Sequence, residues 1–532
     1  MAQWSKRAKA LAYVAGFLCA LLIGGAFYVR SYLNGLSGRV KLRVQQALSD
    51  RFDADVNLDS LQLSIFPMPS ATGEGLSIRH REWSDQQPLI YIKRFHARTD
   101  FWTLINRNNR VDLVRLEGLA IRIPPRGRSA LGSTFASNQQ TQNGQDKTHL
   151  QFLIQTIVAD KTLLEILPKI PSKDPLSFEI EKLSLRSVGP ANAMAFTAKL
   201  TNAKPPGLID TVGSFGPWQK DDPRSTPVSG TYVFNNADLS VFKGISGILS
   251  STGKYDGVLQ HIEVDGSTDT PDFALKRGGD PVHLTTKFHS IVDGTDGDTI
   301  LNPVDATFGR SEFVCRGGVV HQEGTKGKTV SLDAQTTHAR MEDILLLVMG
   351  NKPMLEGDVD FKSKIVIPPG HDDVLNKLDL DGQFRLLSAK FTSPELAGRL
   401  NTLSDRASGI SKKEEEEGKG AHGNVASNLQ GVFKLDQGVT TFSRLSFSVP
   451  GALVQLHGSY NLRSGKIDMQ GTFGMQATLA ETQSGIKSLL LRPLDPMFKK
   501  KGAGFEVPLK ITGTREHPEI GVDVFHKQFT IH

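Results

Sequence analysis

Apolar side chains recur along this chain with three different periods, and each period predicts a different element. Ala10 to Val29 is a run of twenty residues without a charge. As a helix rising ~1.5 Å per residue it is ~30 Å long, the thickness of a bilayer's hydrocarbon core. Its apolar side chains include Ala10, Leu11, Val14, Phe17, Leu18, Leu21, Leu22, Ile23, Phe27 and Val29. Lys6, Arg7 and Lys9 precede the run and Arg30 closes it. The positive-inside tendency then keeps residues 1–9 in the cytoplasm and sends the chain after Arg30 across the membrane. The rival reading is a cleaved secretory signal, because Gly24-Gly25-Ala26 supplies small residues near the end of the run. An apolar core of ~20 residues exceeds the 7–15 of a signal h-region. Both readings export the remaining chain, and no second run of this length follows.

Leu36, Val40, Val44, Ala47 and Leu48 then recur at helical spacing, predicting a short amphipathic helix that ends near Phe52. From there the period becomes two. Val56 and Leu58 alternate, and Leu61, Leu63 and Ile65 resume one residue out of phase, which predicts a β-bulge or a bend. Strands are expected at 74–80, 89–98 and 111–123. Residues 126–148 are polar, nearly free of large apolar side chains, and read as a loop. Strands return at 151–158 and 162–167, with Ala159-Asp160-Lys161 as the turn between them. A central β-rich region, 149–403, follows, with short alternations separated by Gly, Asp, Asn and Pro. Within it Met341–Gly350 and Pro394–Leu403 predict helices. Residues 355–370 alternate cleanly, with Val359, Phe361, Ile365 and Ile367 on one face and Asp358, Asp360, Lys362 and Lys364 on the other.

The charged stretch 404–425 reads as a solvated loop. Beyond it, 426–532 opens with four alternating strands, at Leu429–Leu435, at Phe442–Val449, around Val454 and Leu456, and around Ile467, Met469 and Phe473. A helix is expected near 484–492, followed by Lys499-Lys500-Lys501, whose charges suit either anionic head groups or a helix end.

Composition narrows the classes. Apolar content of 39% and charged content of 22% permit a real core. A prior of ~150 residues per domain gives three or four domains for a chain of this length. The 62 Lys and Arg and 56 Asp and Glu are interspersed, leaving a formal charge of only +6, so no basic face demands nucleic acid. Arg39, Lys41 and Arg43 cluster just after the apolar run and suit an anionic lipid surface or plain solvation. Cys19 sits inside the membrane run and Cys315 deep in the exported part, so the two cannot pair and no disulfide framework is expected.

The order of elements carries a resemblance. An anchor and a short helix lead to VNLDSLQLSIFPMPSATGEGLSIR and then PLIYIKRFHARTDFWTLINRNNRVDLVRLEGLAIRIPP, with a short helix at Phe101-Trp102-Thr103-Leu104. This resembles the N-terminal module of the AsmA family of bacterial envelope proteins, here 30–125 after the anchor. The block Leu429–Val524 resembles the family's C-terminal region: strands, a helix, a basic turn, an apolar strand, Gly-Thr and a Pro-containing final strand. No single short motif is diagnostic.

Alternation alone fits two designs: two sheets closing their apolar faces on each other, or one long sheet whose apolar face stays open. Roughly eighteen strands at ~4.8 Å spacing make a sheet ~85 Å long, beyond a compact domain. The resemblance implies the open design, since AsmA-like proteins are related to repeating β-groove, bridge-like lipid transfer proteins. It implies a mainly β fold: an extended, curled antiparallel β-sheet forming an apolar groove, with an N-terminal transmembrane helix and a few short helices. Val359, Phe361, Ile365, Ile367, Val454, Leu456, Ile467, Met469 and Phe473 are the candidate lining. The implied protein is single-pass in the bacterial inner membrane with its bulk in the periplasm, and moves phospholipid between envelope membranes without catalysis. An outer-membrane or periplasmic protein partner fits a chain too short to span an envelope alone. The alternative is a non-enzymatic scaffold or assembly factor for outer-membrane protein biogenesis; a third class is an envelope hydrolase, which needs a carboxylate pair converging in a cleft.

No catalytic, cofactor or metal constellation holds in the sequence. Gly327-Lys328-Thr329 lacks the first glycine of a phosphate loop, and GILSSTGK (247–254) has the wrong glycine spacing and Tyr255 where Ser or Thr is required. VDGTDGD (292–298) lacks the calcium-loop spacing and reads as a turn. His283 and His289 share a strand face and read as solvent-facing. ILLLVM (344–349) reads as a core-packed helix, with a membrane- or cargo-touching patch as the alternative.

Overall fold

In the computed structural model of the chain the described residues run from 36 to 475 and from 505 to 531, apart from 50–53, 81–86, 101–109, 124–152, 168–174, 406–426 and scattered gaps of one to three residues. The expected anchor at 10–29, the short helix at 101–104, the polar loop at 126–148, the helix near 484–492 and Lys499–Lys501 lie outside them, as does the charged loop at 404–425 except for Ser404 and Asp405, which are helical and buried rather than loop. Among the described residues no helix is long and apolar enough to cross a membrane.

The fold is mainly β. Twenty-six strands are present among the described residues, more than the roughly eighteen that alternation predicts. The chain divides into two compact units, one holding the described residues up to Phe234 with Lys254–Ile262 and Asp293–Asp296, the other holding the rest.

The first unit is built on β1 (Ala54–Asn57), β2 (Ser60–Ser64), β3 (Ser70–His80), β4 (Ile90–Arg98) and β5 (Arg110–Ile123). It continues with β6 (Leu153–Ile166), β7 (Leu176–Val188), β8 (Met194–Ala203) and β9 (Pro206–Phe215). β1 and β2 both pair with β3. They are parted by Leu58 and Asp59, where the phase shift predicts a bend, and Leu58 is fully buried. Helix α1 (residues 36–49) lies along them: Ser49 Oγ donates to the Ala54 carbonyl, Gln45 Nε2 to Val56 and Lys41 Nζ to Asp59. Its Val40 and Leu48 pack on a core of Leu58, Leu61, Leu76, Ile92, Val114, Leu116 and Leu119. Burying one such Leu is worth ~1.5–3 kcal/mol. Ala47, expected on that inner face, points outward.

Two expectations need correction here. The sheet is not wholly antiparallel, because β5 and β6 pair in parallel. A parallel neighbour needs a crossover connection of a dozen or more residues, and the polar stretch 126–148 falls in that connection. Nor does the chain turn at Ala159-Asp160-Lys161. β6 runs straight through in constant register: Asp160 pairs with Lys182 and Thr162 with Ile180, and Lys161 sits between them at φ 54°. Ala159-Asp160-Lys161 looks in sequence like a turn, but the strand passes through it without a shift of register.

Between the units' main runs come β10 (Pro227–Asp238), β11 (Ile245–Ser246), β12 (Ile248–Val258) and β13 (His261–Leu275). The second unit then continues with β14 (Val282–Val292), β15 (Thr299–Phe308), β16 (Ser311–His321), β17 (Lys328–His338), β18 (Leu355–Ile367) and β19 (Asp379–Phe391). After these come β20 (Ser427–Asp436), β21 (Val439–Val449), β22 (Ala452–Asn461), β23 (Ile467–Met475), β24 (Phe505–Gly513), β25 (Pro518–Val524) and β26 (Lys527–Ile531). From β14 to β26 each strand pairs antiparallel with the next. Helix α2 (Met341–Met349) interrupts the run as expected, and the described residues of 394–405 are helical too.

The parallel pair carries an ion pair. Arg122 and Glu165 sit opposite each other across β5 and β6, their charged groups 2.7 Å apart and both largely buried. Arg122 also donates to the Pro88 carbonyl. Arg122→Ala leaves a carboxylate without its partner and is expected to lower unfolding free energy by about 2–4 kcal/mol. In urea melts, Arg122→Met combined with Glu165→Leu should recover most of that loss, because the apolar pair replaces the desolvated charges.

Candidate functional site

Strand register decides what the apolar residues of the second unit do together. Residues directly opposite on paired strands share a face. Val359 is opposite Leu386, and the row continues through Leu429, Phe447, Val454, Phe473 and Val507. The next row runs Phe361, Phe384, Gly431, Leu445, Leu456, Gly471, Leu509. A third runs Ser363, Gly382, Phe433, Phe442, Gly458, Met469, Ile511. A fourth links Ile365, Leu380, Leu435, Thr440, Tyr460 and Ile467. Ile367 lies beyond it on the same face of β18, opposite Val330. The nine candidate residues, drawn from two distant stretches of sequence, therefore stand on one face of one sheet.

The other face is polar. Asp358, Asp360, Lys362 and Lys364 alternate out of β18, and Arg385 of β19 donates to Asp360 at 2.7 Å in full solvent. Such exposed pairs add little stability; their role is to mark the solvated side.

The apolar face is only partly covered. Phe361, Phe384, Phe433, Phe442 and Phe447 are half-buried, as are Leu445, Val454, Leu456, Met469 and Phe473. Among the described residues no phenylalanine belongs to the fully buried set, although Phe is among the residues most often found buried. The rings instead contact each other: Phe433 lies 6.4 Å from Phe361, 6.2 Å from Phe384 and 6.2 Å from Phe442, centroid to centroid. These spacings suit tilted and offset aromatic pairs. Glycine makes the ladder possible. A side chain at Gly431 would meet the Phe384 ring at 2.6 Å, so the ring lies down over bare backbone. Phe384, Phe433 and Phe447 are the members that sequence spacing misses, and cross-strand register is what recovers them.

One place on this face is closed. α2 sets Met341 and Ile344 against Val359, Leu386 and Ala389, with Leu355, Phe384 and Leu429 around them. ILLLVM is thus partly core-packed, while Val348 and Met349 remain exposed. Polar contacts pin both ends of the helix. At its start Glu342 accepts from Arg340 and Arg310 and from the Gly357 N–H, and Asp343 accepts from the Arg310 N–H and Ser311 Oγ. Both carboxylates sit in the first turn, where the helix dipole favours them. At its end the carbonyls of Leu346 and Leu347 accept from the Asp280 and Gly279 N–H groups.

Burial raises the Glu342 carboxyl, but the backbone N–H groups and the Arg340 guanidinium outweigh it and hold it below the usual glutamate range. Cys315 lies opposite Val304 and Ala334, half-buried and free, and burial pushes its thiol up.

The motifs weighed for chemistry fall elsewhere. GILSSTGK is mostly strand β12, not a loop. Asp293 accepts from the N–H and hydroxyl of Thr295, closing a turn. His283 and His289 bond to Asp269 and Asp265 of the adjacent strand. Among the described residues no cluster of three metal-ligating side chains forms.

No family model, curated protein or solved structure matches the chain. The likeness to AsmA proteins therefore rests on the order of elements alone.

Glu342→Gln should cost about 1–2 kcal/mol, the value of a buried charge-assisted hydrogen bond. A carboxyl held low contributes stability above its unfolded pKa and loses it as pH falls through the folded one. The gap between the urea midpoints of wild type and Glu342→Gln should be full near neutral pH and close in acid, below the ordinary glutamate range.

Proposed function

We propose that the chain is a bacterial envelope protein of the AsmA type. Ala10–Val29 anchors it in the inner membrane, the β-rich bulk lies in the periplasm, and the apolar face binds or conducts phospholipid without catalysis. One observation carries the reading: four largely apolar rows of paired residues cross β18 to β23 on one face, kept there by bulges at Phe433 and Phe442, while their phenylalanines stay only half-buried. A face of that kind in water asks for an apolar guest, since each methylene of an acyl chain laid on it is worth about 0.8 kcal/mol. The curl that would make the face a groove belongs to this proposal. Acyl chains would lie along the rows and head groups would stay in solvent, so no charged pocket is required.

Photocrosslinking with benzoyl-phenylalanine in place of Leu456, Met469 or Phe473 tests it in the full chain. Phospholipid adducts are expected at these three positions and not at Gln455, which faces the polar side. Protein adducts in place of lipid would transfer the face to the scaffold reading. Purified protein that carries no phospholipid by mass spectrometry and takes up none after delipidation would overturn the proposal outright.

A further inference from the structure

The turn joining β2 to β3 displays apolar side chains that no part of the described fold covers. Phe66 is 86% exposed, Met68 52% and Ile65 39%. The turn is held, not loose. Ser64 Oγ donates to the Phe66 carbonyl, the Thr99 N–H donates to the Pro69 carbonyl, and Pro69 is buried. Three apolar side chains on a fixed exposed turn mark a contact surface.

The course of α1 says what lies beyond that turn. Its three hydrogen bonds step from Ser49 at Ala54, through Gln45 at Val56, to Lys41 at Asp59. Followed backward, α1 therefore climbs along β1 and β2 toward Ser64, the end that carries Phe66. The five residues from Lys41 to Leu36 add ~7.5 Å in that direction. Residues 30–35, at up to ~3.3 Å each, can cover the rest of the ~17 Å from Asp59 to Ser64. The linking length thus allows the uncharged run Ala10–Val29 to reach the side of the exposed turn. Charge points the same way. Residues 36–49 contain Arg39, Lys41 and Arg43 and no acidic residue, with Arg39 and Arg43 exposed. Arg98, opposite Ser70 at the same end, is exposed as well.

We infer that the turn bearing Ile65, Phe66 and Met68 inserts into the headgroup layer of the membrane that the 10–29 run enters, with Arg98 beside it meeting its anionic phosphates and the basic face of α1 (Arg39, Arg43) turned to the same surface at longer range. Apolar side chains flanked by cations are the composition of interfacial docking elements. The inference rests on the anchor reading of 10–29 and is independent of the lipid-carrying face of the second unit.

The test uses the full chain in phosphatidylethanolamine–phosphatidylglycerol vesicles, with Cys19→Ala and Cys315→Ala as background. An environment-sensitive NBD label is placed at Phe66→Cys or Met68→Cys, and at Asp55→Cys as a solvent-facing control at the far end of α1. Labels at 66 and 68 should emit to the blue of the control and be quenched several-fold more strongly by doxyl-labelled phospholipid. Emission equal to the control, or a blue shift that doxyl lipid leaves unquenched, would overturn the inference, the second by showing that protein covers the turn. Flotation of the vesicles scores the anchor separately, and circular dichroism of each variant confirms that the unit is folded.

Discussion

A β-strand cannot choose where alternate side chains go. Once Val, Phe, Leu and Ile occupy every second position, the paired strands present one greasy surface and one wet one, and the greasy surface must meet something other than water. The two units meet this constraint differently. In the first, α1 lies down on the sheet and Leu58, Leu61, Leu76 and Leu116 are buried beneath Val40 and Leu48. In the second, α2 covers the neighbourhood of Val359 and Leu386 only, and the rows running from Phe361 to Leu456 stay half-open.

Much of this was legible because period two is a strong signal where a strand is regular. β18 reads correctly residue by residue, from the charges of Asp358 to Lys364 to the apolar Phe361 and Ile365. The phase shift after Leu58 is real and marks the break between β1 and β2, both held by β3. Strands were lost where the alternation is diluted by Gly, Ser and Thr, which pack on a sheet face without registering as apolar.

Bulges were the other source of error. Phe442 and Leu445 are three apart and by simple alternation belong to opposite faces; a register shift puts them opposite Phe433 and Gly431, on one face. At Lys161 the difference is of another kind: sequence suggests a turn, and β6 passes through it in unshifted register. The parallel contact of β5 with β6 was invisible for a different reason: pairing direction is set by the long connection between strands, and side-chain pattern says nothing about it. The site residues on β18, β22 and β23 could be named from alternation, but that they form one surface could not, because register across five intervening ladders is a property of the fold.

Cys315 shows one consequence of holding a sheet together by rows and ion pairs. It stands opposite Val304 and Ala334 in the middle of a strand, and burial pushes its thiol pKa up. Thiol exchange and oxidation proceed through the thiolate, so this side chain is a poor nucleophile as long as β16 stays paired. Pairing of β16 and a raised thiol pKa thus act together to slow oxidation and alkylation at this position.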